Sequence, residues 1–212
     1  MAIFAVLAKF DLGKQEELDR KVEERIEKKK EQKLLVKGMK AREAALQNLN
    51  LAVQISGDGS TKDAVVRELQ AGARQHMIIV AGPRKACRDA LIGANLMKMS
   101  FSMSNVLVVP YEVGADPNEL QSRPEGGFGE RPAYETQPYV ARPSGGGWDD
   151  YIAEEMDAAV EQNGEKAKEE GIAIVVSNSG KVIRRGIGKV PWRQMVDQLQ
   201  GDDPENEMSE YL

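Results

Sequence analysis

The stretch that most limits what this chain can fold into is Met77–Gly82, MIIVAG. Apolar residues in unbroken succession fit a strand covered on both faces better than one with a wet side. A strand of that kind needs packing above and below, which points to an α/β protein. Pro83 follows at once and suits the first position of a helix, where its missing N–H costs nothing. Behind it Cys87, Ala90, Leu91, Ala94 and Met97 recur at helical spacing. Asn105–Tyr111, NVLVVPY, then supplies another apolar strand.

The flanks complete the order. Leu49–Ile55 reads as a strand that ends at the turn signal Gly57-Asp58-Gly59. Ser60 and Asp63 resemble a capping box, with Asp shorter than the usual Glu or Gln, before a helix bearing Val65, Val66, Leu69 and Ala73. Further on, Trp148, Ile152, Met156, Ala159 and Val160 mark a helix that stops near Asn163-Gly164. Ile172–Gly188 is a hairpin about an Asn-Ser-Gly turn, and Pro191 begins a last helix with Trp192, Met195, Val196 and Leu199 inward. Right-handed crossovers would set the first three strands parallel, and the hairpin adds two antiparallel ones. The expected fold is thioredoxin-like: a mixed α/β sheet flanked by helices. A flavodoxin-like doubly wound sheet is the alternative, and the terminal hairpin argues against it.

Three further segments surround this domain of residues 46–200. Residues 1–45 join the apolar MAIFAVLAKF to a charged helical extension in which Leu18, Val22 and Ile26 form a single stripe. The apolar start is too short to span a bilayer; it reads as a segment that docks into a groove or partner, or as the remnant of a longer precursor. Residues 113–147 are a long Gly/Pro-rich insert whose aromatics suggest an ordered arm over a surface, with a flexible insert as the alternative. Residues 201–212 are an acidic tail. Phe4 and Phe10 of the start, with Phe128, Tyr134 and Tyr139 of the insert, are the candidate docking aromatics.

Composition narrows the chemistry. With 29 Lys+Arg against 34 Asp+Glu the net charge is -5, which disfavours nucleic acid as a partner. The single cysteine and single histidine leave no multi-cysteine metal site, and no carboxylate cluster suits zinc. Thioredoxin chemistry needs a Cys-x-x-Cys at the mouth of the helix after the first core strand. The corresponding turn here is Gly82-Pro83-Arg84-Lys85-Ala86-Cys87, which places the lone thiol a full turn inside, on the apolar face. A proline before Ile172 is missing too, since the strand starts Glu170-Gly171-Ile172. The expectation is therefore a buried, neutral Cys87, no enzymatic activity and no cofactor. A thiol-dependent oxidoreductase using Cys87 is kept as the alternative. His76 reads as a surface or edge histidine, and Asp149-Asp150 and Glu154-Glu155 as solubilising pairs. Gly57–Thr61 before a helix is a weak candidate anion site.

Arg42-Glu43 before a strand, LQAGARQHMIIVAG (Leu69–Gly82), VLVVPY (Val106–Tyr111) and GKVIRRGIGKVPWRQMVDQL (Gly180–Leu199) together resemble the carboxy-terminal domain of the low photosystem II accumulation protein 1 family of chloroplasts. The tail signature appears as Gly186, Gly188, Pro191 and Trp192, and the resemblance covers about Met39–Gln200. It implies a chloroplast protein on the stromal side of the thylakoid membrane, in contact with core or peripheral photosystem subunits and without a cofactor. Such a protein would serve as an assembly factor or as a stably bound peripheral subunit, of photosystem II by resemblance or of photosystem I. The family's helical repeats and two membrane spans have no counterpart in this sequence. In physical terms Gly186 and Gly188 would allow a tight turn or close backbone approach, and Trp192 would either plug the gap between helix and sheet or mark a docking surface.

Overall fold

The computed structural model describes residues 2–55, 60–114 and 132–201, with side chains from Arg20 onward. Two compact units divide the chain, Met1–Arg42 and Glu43–Leu212. A single helix, α1 (Ala2–Leu46), runs through the first unit and ends in the second. Within the first unit, alternating Lys and Glu favour the helix by propensity and by spacings such as Arg20–Glu24, four residues apart. Val22, Ile26, Leu34 and Leu35 remain exposed there.

In the second unit β1 (Asn50–Gln54) pairs antiparallel with β2 (Thr61–Val65), and α2 (Val66–Ala73) follows directly. This corrects two expectations. Thr61–Val65 is a strand, so Ser60 and Asp63 cap no helix, and Val66 is the first helical residue. Nor is β1 parallel to the strands that follow. It lies in a separate three-stranded sheet, flanked by β2 and by β5 (Arg142–Ser144).

The core sheet comprises β3 (His76–Gly82), β4 (Val106–Glu112), β6 (Ile172–Val176) and β7 (Val182–Ile187), in the order β4-β3-β6-β7. β3 and β4 are parallel, β3 and β6 antiparallel, and β6 and β7 form the antiparallel hairpin. Between β3 and β4 lie α3 (Arg84–Ala94), a 3-10 turn at Asn95–Met97 and α4 (Lys98–Met103). α5 (Trp148–Asn163) and α6 (Lys166–Glu170) precede the hairpin, and α7 (Trp192–Gly201) closes the chain of elements. A βαβ unit joined through a helix to a β-hairpin and a final helix, in one mixed sheet, is the thioredoxin-like fold.

Alternation along β3 decides which side chain goes where. Ile78 and Val80 face the cluster made by Leu91, Phe101, Trp192, Met195 and Leu199, so α3, α4 and α7 cover that side. Met77, Ile79 and Ala81 face Leu51, Trp148, Tyr151, Ile152 and Met156, so α5 and the β1 sheet cover the other. The unbroken apolar run of β3 is therefore the central strand of a sheet buried on both faces.

The end of the insert is ordered against this core. Val108 donates its N–H to the carbonyl of Tyr139 at 2.7 Å, and Ala141 returns one to Val108 at 2.9 Å. Three residues on, Arg142–Ser144 pair with β1. Residues 139–144 thus cover the edge of β4 and then join the second sheet. Tyr139 is not a docking aromatic: it is buried, with its ring 5.1 Å from that of Phe101. Tyr134 is half-buried against the same cluster. Phe128 lies outside the described residues, and the side chains of Phe4 and Phe10 are likewise outside them.

Candidate functional site

A cleft of about 680 Å³ opens at the end of the sheet where β3 stops, β6 begins and β7 ends. Its floor is apolar, with Val80, Ala90, Ile172 and Trp192; Lys85, Asp89, Glu170 and Lys189 supply charge of both signs. The backbone determines its shape. A Cβ on Gly82 would lie 2.6 Å from Cα of Gly171, so the end of β3 and the approach to β6 touch main chain to main chain. Gly171 has φ +80, a conformation that glycine adopts without penalty. It accepts a 3.0 Å hydrogen bond from the N–H of Gly188, which itself turns at φ +75.

The four signature residues divide in role. Gly188 and Trp192 line the cleft. Trp192 is only 7% exposed, donates Nε1–H to the Ala90 carbonyl at 3.2 Å and meets Phe101 edge-on at 5.4 Å. It fills the space between α7, α3 and the sheet and still contributes one wall. Gly93 on α3 is small for the same reason, since a Cβ there would come within 3.2 Å of the indole nitrogen. Gly186 sits inside β7 opposite Ala173, and a Cβ there would meet nothing within 4 Å. The expected turn therefore falls at 188, where a Cβ would meet the Glu170 carboxylate at 2.6 Å, and 186 shows neither a turn nor a close approach. Pro191 is exposed just before α7.

Cys87 faces away from the cleft. It is the fourth residue of α3 and 1% exposed, with Sγ 3.2 Å from the Tyr111 carbonyl and 3.6 Å from those of Val80 and Gly82. Burial, and after it the charge of Glu112, pushes this thiol up to about 12. A thiol ringed by acceptors and held protonated is a poor nucleophile.

Several other candidates are rearranged. His76 opens β3 and is buried rather than superficial, its Nδ1 accepting the Asn178 N–H at 3.1 Å. Asp149 receives the phenol hydrogen of Tyr111. Burial, then that bond and the Asp149 charge, raise the tyrosine above its ordinary value. Glu155 is no solubilising residue. It is 1% exposed and holds Arg185 of β7 through two hydrogen bonds of 2.7 and 2.9 Å. That bond raises Arg185 further, against the opposing effect of burial. Sequence reading missed this pair because only the third dimension brings α5 beneath β7. Gly57–Gly59 lie outside the described residues, and Thr61 belongs to a strand, so the proposed anion site has lost its helix.

No family model and no curated protein matches the chain. Solved structures do. The 2-Cys peroxiredoxin of Plasmodium vivax in its reduced state is 11% identical, with a TM-score of 0.43 over 72% of this chain and 77% of that one. Thioredoxin peroxidase I of Plasmodium yoelii is 13% identical, with a TM-score of 0.45 over 77% and 88%. AhpC of Mycobacterium tuberculosis is 10% identical, with a TM-score of 0.43 over 72% and 92%. The expectation of a chain without enzymatic activity is corrected here. Two of these structures are named as a peroxiredoxin and a thioredoxin peroxidase, and the likeness to them does not bear out that expectation.

Proposed function

We propose that this protein acts by contact with photosystem subunits at the stromal side of the thylakoid membrane, as an assembly or accumulation factor or as a peripheral subunit. Photosystem II is the partner by family resemblance, with photosystem I second. One observation carries the reading: Gly188 and Trp192, half of the signature on which the resemblance rests, line the cleft. An apolar floor under a rim of both charges suits a polypeptide segment, whose backbone and side chains offer both kinds of partner. Native gradient fractionation of thylakoids tests the proposal. The protein is expected to migrate with photosystem complexes or their intermediates, and a Lys85→Glu/Lys189→Glu variant to migrate less. Its absence from every photosystem-containing band removes the reading.

The second reading is a thiol-dependent oxidoreductase through Cys87. Its support is the position of the sulfur, one turn into the helix that follows the first parallel core strand. Such chemistry requires the thiol to be uncovered during turnover. Peroxide consumption with an external thiol reductant, lost in Cys87→Ser, would establish it; alkylation that stays slow up to pH 10, together with no turnover, would remove it.

A further inference from the structure

The outer side of α3 and α4 carries a stripe that the fold does not use. Arg84, Arg88, Ile92, Leu96, Met99 and Met103 recur at intervals of three or four residues, so they share one face across the 3-10 turn. Its C-terminal half is apolar and open: Ile92 is 50% exposed, Leu96 87%, Met99 69% and Met103 80%. Its N-terminal half is cationic. Between residues 84 and 103 stand Arg84, Lys85, Arg88 and Lys98 against the single carboxylate of Asp89, in a chain whose net charge is -5. Among the described residues, Arg88 alone of these cations makes an ion pair, a 3.3 Å surface contact with Asp89.

Helix stability does not explain this arrangement. Cations in the first turn oppose the positive end of the helix dipole, and α3 has no acidic residue there to offset Arg84 and Lys85. Nor does the patch suit a stable dimer. Four side chains offer on the order of a few hundred Å², against about 800 Å² per partner in a standard protein interface.

We infer that this stripe is a membrane-surface contact, with Leu96, Met99, Met103 and Ile92 entering the headgroup boundary of an anionic lipid leaflet and Arg84, Arg88 and Lys98 lying against its phosphates. A basic and apolar helical face of this kind is what an interfacial helix needs. The opposite sign of the patch from the rest of the chain orients the protein with this face toward negative lipid. Unbranched Met side chains adapt to an irregular acyl boundary. The contact needs no protein partner and so goes beyond the reading above.

Flotation of the full chain with phosphatidylcholine vesicles, with and without one third phosphatidylglycerol, tests it. Binding to the anionic vesicles is expected to exceed binding to neutral ones at least tenfold and to weaken with salt. Leu96→Asp/Met99→Asp/Met103→Asp should abolish it with the thermal melt unchanged, since all three side chains are exposed. Reversing Arg88 and Lys98 to Glu should weaken it about fivefold per charge. Failure of the wild-type chain to float, or equal flotation of the triple variant, overturns the inference. So does loss of photosystem co-migration in the triple variant without any vesicle binding by the wild type, which would make the patch a protein contact. Vesicles without protein keep this result separate from that of the gradient experiment.

Discussion

The two stripes of the helical segment 84–103 differ little in hydrophobicity and entirely in fate. Cys87, Leu91, Ala94 and Phe101 are sealed against the sheet. Ile92, Leu96, Met99 and Met103 face outward. Hydrophobic residues do not all go inside, and an exposed contiguous group is the informative case. The inner stripe secures the thioredoxin-like core, whereas the outer one is available for contact.

The largest expected effect lies on the inner stripe. Phe101 bridges the rings of Tyr139 and Trp192. Phe101→Ala should cost about 3–5 kcal/mol, read by urea unfolding. A cost under 1 kcal/mol would mean that α4 is not part of the core and would erase the contrast between the two stripes.

Cys87 makes the same contrast in pH. Burial pushes it from the ordinary thiol value of 9.0 up to about 12, so the folded protein keeps the proton that the unfolded chain releases. The stability from the buried neutral thiol is fully present below pH 9 and lost as pH rises from 9 toward 12. At about 1.4 kcal/mol per unit, the loss reaches at most about 4 kcal/mol. Urea unfolding at pH 8 and pH 10.5 should show the wild type losing more stability than Cys87→Ala. Equal losses would mean that the thiol is accessible, which would strengthen the oxidoreductase reading.

The Glu155–Arg185 pair comes next and is asymmetric. The Glu155 side chain is 1% exposed and that of Arg185 31%. Removing the arginine strands a buried carboxylate, whereas removing the glutamate leaves a cation that can reach water. Arg185→Ala should therefore cost about 3 kcal/mol, and Glu155→Ala roughly 2. The reverse order in denaturant unfolding would place the charge burden on the arginine.

Legibility in the sequence followed local pattern. β3, β4 and the β6–β7 hairpin announce themselves by apolar runs and an Asn-Ser-Gly turn, and they suffice for the fold class. Cys87 is legible as buried because it shares a helical period with Leu91 and Ala94. β2 was hidden because Thr61-Lys62-Asp63 lie exposed on a strand with an open edge, where no apolar alternation is required. β5 was hidden because Arg142-Pro143-Ser144 forms a strand only by meeting β1. Of the cleft lining, Gly188 and Trp192 belong to the signature, whereas Gly171 and Glu170 do not. Gly171 matters through its main-chain approach to Gly82, almost ninety positions away, and Glu170 through its side chain against Gly188, neither of which a local spacing records.

The smallest expected effect completes the comparison of the stripes. Leu96→Ser removes an apolar side chain that is already in water, so folding stability should change by no more than about 0.5 kcal/mol. The same substitution at Leu91 should cost several times as much, because a buried hydroxyl would replace packed methyl groups. Measured side by side by urea unfolding, the two leucines separate burial from hydrophobicity within one helix. A cost above 1 kcal/mol at Leu96 would show that its face is already covered within the folded chain, and the surface would then be closed to any outside contact.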